Sequence, residues 1–83
     1  MAGSLLDRMR TNPRGDWTIK DVETLCRQHG VTCEPPRGGG SHYKVYRAGH
    51  AFNLTIPRRR PIKPVYIRAL VGLILTILDE QNR

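Results

Sequence analysis

His42 is delivered to the chain by Gly38, Gly39, Gly40 and Ser41 and is followed by the alternating run Tyr43, Lys44, Val45, Tyr46. Imidazole gains and loses a proton near neutral pH, so it can take the proton of an RNA 2′-hydroxyl or protonate a leaving oxygen. Arg37 and Lys44 flank it, and cations of this kind hold phosphate and lower the charge barrier to its displacement. The glycines let backbone and nucleotide approach closely, and their N–H groups can also hold a phosphate. Residue types alone leave a binding or structural role for this segment standing beside catalysis.

Two other histidines compete for attention. His29 falls at the predicted end of a helix, where a positive ring complements the dipole and acts as a cap. His50 falls in a predicted hairpin turn and reads as a solvated loop residue. The cysteines, Cys26 and Cys33, match neither a Cys-x-x-Cys pair nor a Cys/His ligand spacing, and are expected to be reduced thiols of a cytoplasmic protein. No secretory apolar region follows Met1. No metal site and no cofactor is expected.

Charge narrows the partner. The 83 residues carry 14 Lys and Arg against 7 Asp and Glu, a formal net charge of +7, which suits a polyanion. No acidic residue falls between Glu34 and Asp79, whereas Arg37, Lys44, Arg47, Arg58, Arg59, Arg60, Lys63 and Arg68 all do. A two-metal nuclease needs paired carboxylates, and this segment has none. A chain of this length buries only about 60 to 65% of its unfolded surface, so a surface site is expected rather than an enclosed pocket. The apolar run from Ala69 to Leu78 is shorter than the roughly 20 residues a bilayer crossing requires, and no membrane role is expected.

The elements that must position His42 can be read in order. Leu5, Leu6 and Met9 have helical spacing, closed by Asn12-Pro13, and predict a short N-terminal helix. Thr18, with Asp21 three residues on, is an N-cap; Ile19, Val22, Leu25 and Cys26 form one stripe, and Gly30 ends the helix. A short strand is predicted over Val31 to Glu34, stopped by Pro35 and Pro36. From Ser41 a second strand places Tyr43 and Val45 inward and His42, Lys44 and Tyr46 outward. Ala48-Gly49-His50 turns into a third strand, with Phe52, Leu54 and Ile56 expected inward and Pro57 at its end. After the basic loop Arg58 to Lys63, Pro64 opens a final helix through about Glu80 that is apolar on more than one side, so part of it is expected to meet a partner chain. The fold class is α+β: a three-stranded antiparallel sheet with two helices on one face and an extra N-terminal helix, in a single domain spanning residues 1–83.

The strings GGGSHYKVY and NLTIPRRRPIKPVYIRALVGLI, with WTIKDVETLCRQHG before them, resemble the HicA family of toxins from bacterial toxin-antitoxin pairs. The resemblance rests on Gly-Ser-His opening a strand, a later strand ending in Thr-Ile-Pro, and a helix begun by Lys-Pro, and it covers Trp17 to about Leu78. The stretch before Trp17 is longer than the shortest members carry. The resemblance implies a double-stranded-RNA-binding-like fold, ribonuclease activity on mRNA, His42 as catalytic residue and a HicB-type antitoxin that covers the site in a hetero-oligomer. The residues expected to contact RNA are Arg37, Gly40, Ser41, Lys44 and Tyr46 around His42, and Arg58, Arg59, Arg60 and Lys63 in the basic loop, for which a solvated charge run is the equal alternative. Two further classes remain beside this one. One is a double-stranded-RNA-binding module that does not cleave; the other is a regulatory partner whose final helix is the main functional surface.

Overall fold

A computed structural model of the protein describes residues 3–82. Its order is α1 (Leu5–Thr11), α2 (Ile19–Gln28), β1 (Thr32–Glu34), β2 (His42–Tyr46), β3 (Asn53–Pro57) and α3 (Pro64–Gln81). The chain is therefore α+β, a three-stranded antiparallel sheet in the order β1-β2-β3 with three helices.

Local chemistry sets the helix ends. Thr18 and Asp21 form a reciprocal capping box: the Asp21 N–H donates to Thr18 Oγ1 at 3.3 Å and the Thr18 N–H donates to Asp21 Oδ2 at 2.9 Å. At the other end Gly30 takes φ +68°, and the following Val31 N–H returns to the Cys26 carbonyl at 2.9 Å. Only glycine adopts that angle at little cost. Pro64 opens α3 in the first turn, where its missing N–H has no helical partner to lose.

The sheet register decides which side chains share a face. Glu34 lies opposite Lys44, and Lys44 opposite Thr55; Thr32, Tyr46 and Asn53 form the next row, and His42 faces Pro57. Opposed residues project to the same side, so these form the open face. On the other face Val45 and Ile56 are fully buried, packed with Val22 and Leu25 of α2 and Ile67, Leu70 and Ile74 of α3. Leu54 and Cys33 pack at the margin of that core.

The wide apolar surface of α3 has two tenants. It meets β3 and shares one buried cluster with α2, and it also meets α1, whose Leu6 and Met9 are buried. Seven residues cannot hold a helix alone. Each buried side chain of this size contributes about 1.5–3 kcal/mol, and it is this burial that keeps α1 folded against α3. Val65 (61% exposed) and Leu75 (42%) remain outside the core. No helix among the described residues is long and apolar enough to cross a membrane.

Two expectations need correction. Phe52, expected inward in the third strand, is 47% exposed, because the β2–β3 pairing ends at Tyr46–Asn53 and leaves Phe52 in the connecting segment. His50, expected to be solvated, closes the Arg47–His50 turn, its N–H donating to the Arg47 carbonyl at 3.0 Å. Its ring sits 3.7 Å from the Glu80 carboxylate and is four-fifths covered. The hairpin tip thus leans on the end of α3.

Cys26 and Cys33 meet where α2 runs beside β1, and both thiols are free. The hydrogen bond between them, together with burial, pushes Cys26 far above the ordinary thiol range, and the same bond draws Cys33 below it.

Candidate active site

The loop between β1 and β2 builds a cleft of about 410 Å³ lined by Glu34, Pro35, Pro36, Arg37, His42 and Lys44. Its construction follows from residue types. Pro35 and Pro36 end β1 because they cannot supply ladder N–H groups. Gly38 and Gly39 then reverse the chain with φ of +64° and +84°, angles that a side chain would oppose. A Cβ at Gly40 would stand 3.3 Å from the Pro36 Cβ, so the loop closes tightly on its own proline.

This closure fixes the start of β2. The Ser41 carbonyl accepts a 2.6 Å hydrogen bond from the Arg58 N–H, and His42 sits opposite Pro57. The pairing thus runs one residue past Pro57, and the proline is tolerated there because β3 is an edge strand and its missing N–H lies on the unpaired side. His42 is exposed, and Ser41 Oγ lies 3.3 Å from its Nδ1. When Nδ1 carries the proton it donates to the hydroxyl; when it does not, the hydroxyl donates to the ring. In both cases Nε2 is left without a hydrogen-bond partner in the described residues.

Lys44 borders this cleft and a second one, of about 300 Å³, that continues across the open face over Tyr46, Asn53 and Thr55. Tyr46 is on that face as expected, and its hydroxyl donates to Glu34 Oε2 at 3.3 Å. The negative charge of Glu34 raises the phenol above its ordinary value, so Tyr46 stays a donor. Arg37, Gly40, Ser41, His42, Lys44 and Tyr46 are thus gathered along one loop and one face.

The basic loop forms a separate region. Arg58, Arg59 and Arg60 line a cleft of about 210 Å³ with Thr18 and Ile19 at the start of α2, and Arg59 and Lys63 border a smaller one with Pro57 and Tyr66. Arg60 is engaged within the protein: its Nη2 donates to Asp16 Oδ2 at 2.8 Å and its Nε reaches both carboxylate oxygens at 3.2 Å. This pairing holds the Asp16 carboxyl below its usual range and raises the guanidinium further. Ile62, in the middle of the loop, is 1% exposed, and its N–H donates to the Trp17 carbonyl at 2.8 Å.

Glu34 is the site residue that reading along the chain does not find. It is the last acid before a long acid-free segment and stands eight positions before His42, with a seven-residue loop between. Its period-2 spacing from Thr32 marks it as outward, but only the register Glu34↔Lys44 brings it to the histidine.

The cleft therefore gathers an exposed imidazole, a carboxylate and two cations on one sheet face, groups of the kind that can hold an anion and move a proton. No protein-family model matches the chain, and no curated protein and no solved structure matches it.

Proposed function

We propose that the protein is a metal-independent endoribonuclease that cleaves mRNA through His42, and that it acts as the toxin of a HicA-type pair in the cytoplasm. The carrying observation is the exposed His42 at the mouth of a cleft whose other charged groups include Lys44 and Arg37. Lys44 and Arg37 hold the phosphate, Ser41 orients the ring, and His42 moves the proton. The three-stranded sheet with helices on its other face suits a double-stranded-RNA-binding-like architecture in which the open face meets the nucleic acid. An exposed catalytic edge must be covered when cleavage is unwanted, and a HicB-type antitoxin with an acidic and apolar surface would complement it. Val65 and Leu75, left outside the core, offer such a partner a second contact on α3.

His42→Ala tests this reading directly. With transcribed mRNA in EDTA, cleavage should fall by about 10²- to 10⁴-fold, the range for losing a positioned acid or base. The thermal midpoint should stay at the parent's, since an exposed side chain contributes within about ±0.5 kcal/mol. Undiminished cleavage by the variant would remove the assignment. If neither protein cleaves while both bind RNA, the chain is a binding module.

A further inference from the structure

The geometry points to Glu34 as a second catalytic residue, the general base that deprotonates the 2′-hydroxyl while His42 protonates the leaving 5′-oxygen, so that the products are a 2′,3′-cyclic phosphate and a 5′-hydroxyl end. This inference rests on the ribonuclease reading and adds to it the division of labour within the cleft and the requirement for a ribose 2′-hydroxyl.

Register supplies the spacing. Glu34 is opposite Lys44, and His42 is two residues from Lys44 on the same strand and face, so Glu34 and His42 are diagonal neighbours across the β1–β2 pair. Such residues have Cα atoms about 7–8 Å apart. Both side chains line the same cleft. Diagonal neighbours with long side chains can reach each other, as Tyr46 reaches Glu34 from the other diagonal. Among the described residues, however, no hydrogen bond or ion pair joins Glu34 to His42, so both groups are left to flank one phosphate. In-line displacement needs one group at the attacking oxygen and another at the leaving oxygen on the opposite side of phosphorus.

The alternative role for Glu34 is a cross-strand ion pair with the facing Lys44. Among the described residues Glu34 forms no ion pair within 4 Å, and neither does Lys44; the carboxylate accepts one hydrogen bond, from Tyr46. One carboxylate oxygen is thus fixed by the tyrosine and the other is open. Lys44 and Arg37 are left to bind the non-bridging oxygens, and Ser41 holds Nδ1 of His42 so that Nε2 faces the leaving group. Tyr46 is then a positioning residue.

The step balances without a metal or a redox partner. The 2′-oxygen forms a bond to phosphorus as its proton passes to Glu34; the bond from phosphorus to the 5′-oxygen breaks, and that oxygen takes the proton of the His42 imidazolium. A carboxylate is ordinarily ionised at neutral pH and imidazole can carry a proton there, which assigns base and acid in this order.

The test uses an oligoribonucleotide spanning a cleavage site mapped on mRNA, made with either the natural 5′-oxygen or a bridging 5′-sulfur at the scissile position. Sulfur departs as a thiolate without needing a proton. Glu34→Gln should slow cleavage of the natural substrate by about 10²- to 10⁴-fold. Binding of the 2′-deoxy analogue by this variant should remain at the parent's level, which also reports that it is folded. The sulfur substrate should restore cleavage by His42→Ala and leave Glu34→Gln slow. Wild-type cleavage by Glu34→Gln alongside an inactive His42→Ala overturns the role of Glu34 and leaves the ribonuclease reading standing. Rescue of Glu34→Gln by sulfur reverses the assignment and overturns the inference equally. Cleavage at the parent's rate by His42→Ala overturns the underlying reading instead.

Discussion

The protein carries two cationic regions that look alike in sequence and are held in different ways by the fold. Around His42 the charged groups belong to a short strand pair and a glycine loop, and Lys44 and Arg37 stand at an open cleft. In the Arg58–Lys63 loop the chain is tied inward: Arg60 binds Asp16, the Ile62 N–H bonds to the Trp17 carbonyl, and the Ile62 side chain is buried. Density of charge therefore does not rank the two. What distinguishes them is how the fold holds them: in the loop Arg60 is spent on Asp16 while Arg58, Arg59 and Lys63 form no ion pair among the described residues, whereas at the cleft unpaired cations stand beside an exposed imidazole.

The strongest way to break this comparison is through its one apolar element. Ile62→Ala should cost about 2–5 kcal/mol, the range for truncating a buried isoleucine, and lower the thermal midpoint by roughly 8–40 °C in a domain of this size. At a temperature where the variant remains folded, its cleavage rate should match the parent's. A midpoint unchanged by Ile62→Ala would mean that the loop is not anchored, and the contrast with His42, whose truncation leaves stability alone, would vanish.

The middle effect concerns binding. In a His42→Ala background that does not consume the RNA, Lys44→Ala should reduce the slope of log affinity against log salt by about 0.7–1 unit, one phosphate contact. Of the four loop residues expected to contact RNA, Arg58, Arg59, Arg60 and Lys63, Arg60 is the one paired with Asp16, so Arg60→Ala should change that slope least. Equal loss of slope for Lys44→Ala and Arg60→Ala would erase the distinction between spent and unspent charge.

The same division explains what could be read along the chain. Features written within a few residues were legible: the Thr18–Asp21 cap, the Gly30 stop, the Lys63-Pro64 start and the alternation that sends His42, Lys44 and Tyr46 to one face. Features set by pairing over a distance were not. Glu34 reaches His42 only through a register that depends on how residues 35–41 close, and Cys26 meets Cys33 only because α2 lies beside β1. Ile62 is a lone apolar residue among prolines and cations, with no periodicity to mark it as core. Phe52 misled because alternation says which face a strand residue takes, but not where the ladder ends. The breadth of the apolar surface on α3 was visible, but assigning part of it to α1 required the tertiary structure, since a seven-residue helix announces no partner.

The smallest expected effect is also the most diagnostic of the anchored region. Asp16→Asn removes the carboxylate charge that Arg60 holds, without changing side-chain size. Hydrogen bonding from Arg60 depresses the Asp16 carboxyl below its ordinary value of 3.8, so the folded state favours the ionised form. A depressed carboxyl contributes stability that is fully present above its unfolded value and is lost as pH falls through the lower folded value. The parent should therefore exceed Asp16→Asn in thermal midpoint by a small, constant amount from pH 7 down to about pH 5, and the two should converge below pH 4 as Asp16 gains its proton. The pair is solvent-exposed, so raising the salt concentration should shrink the gap at pH 7 as well. A gap that persists undiminished in acid would show that Asp16 supports the loop by something other than its charge. A gap of zero at every pH would leave Ile62 and the Trp17 carbonyl as the whole anchor, and would return Arg60 to the set of charges free to meet RNA.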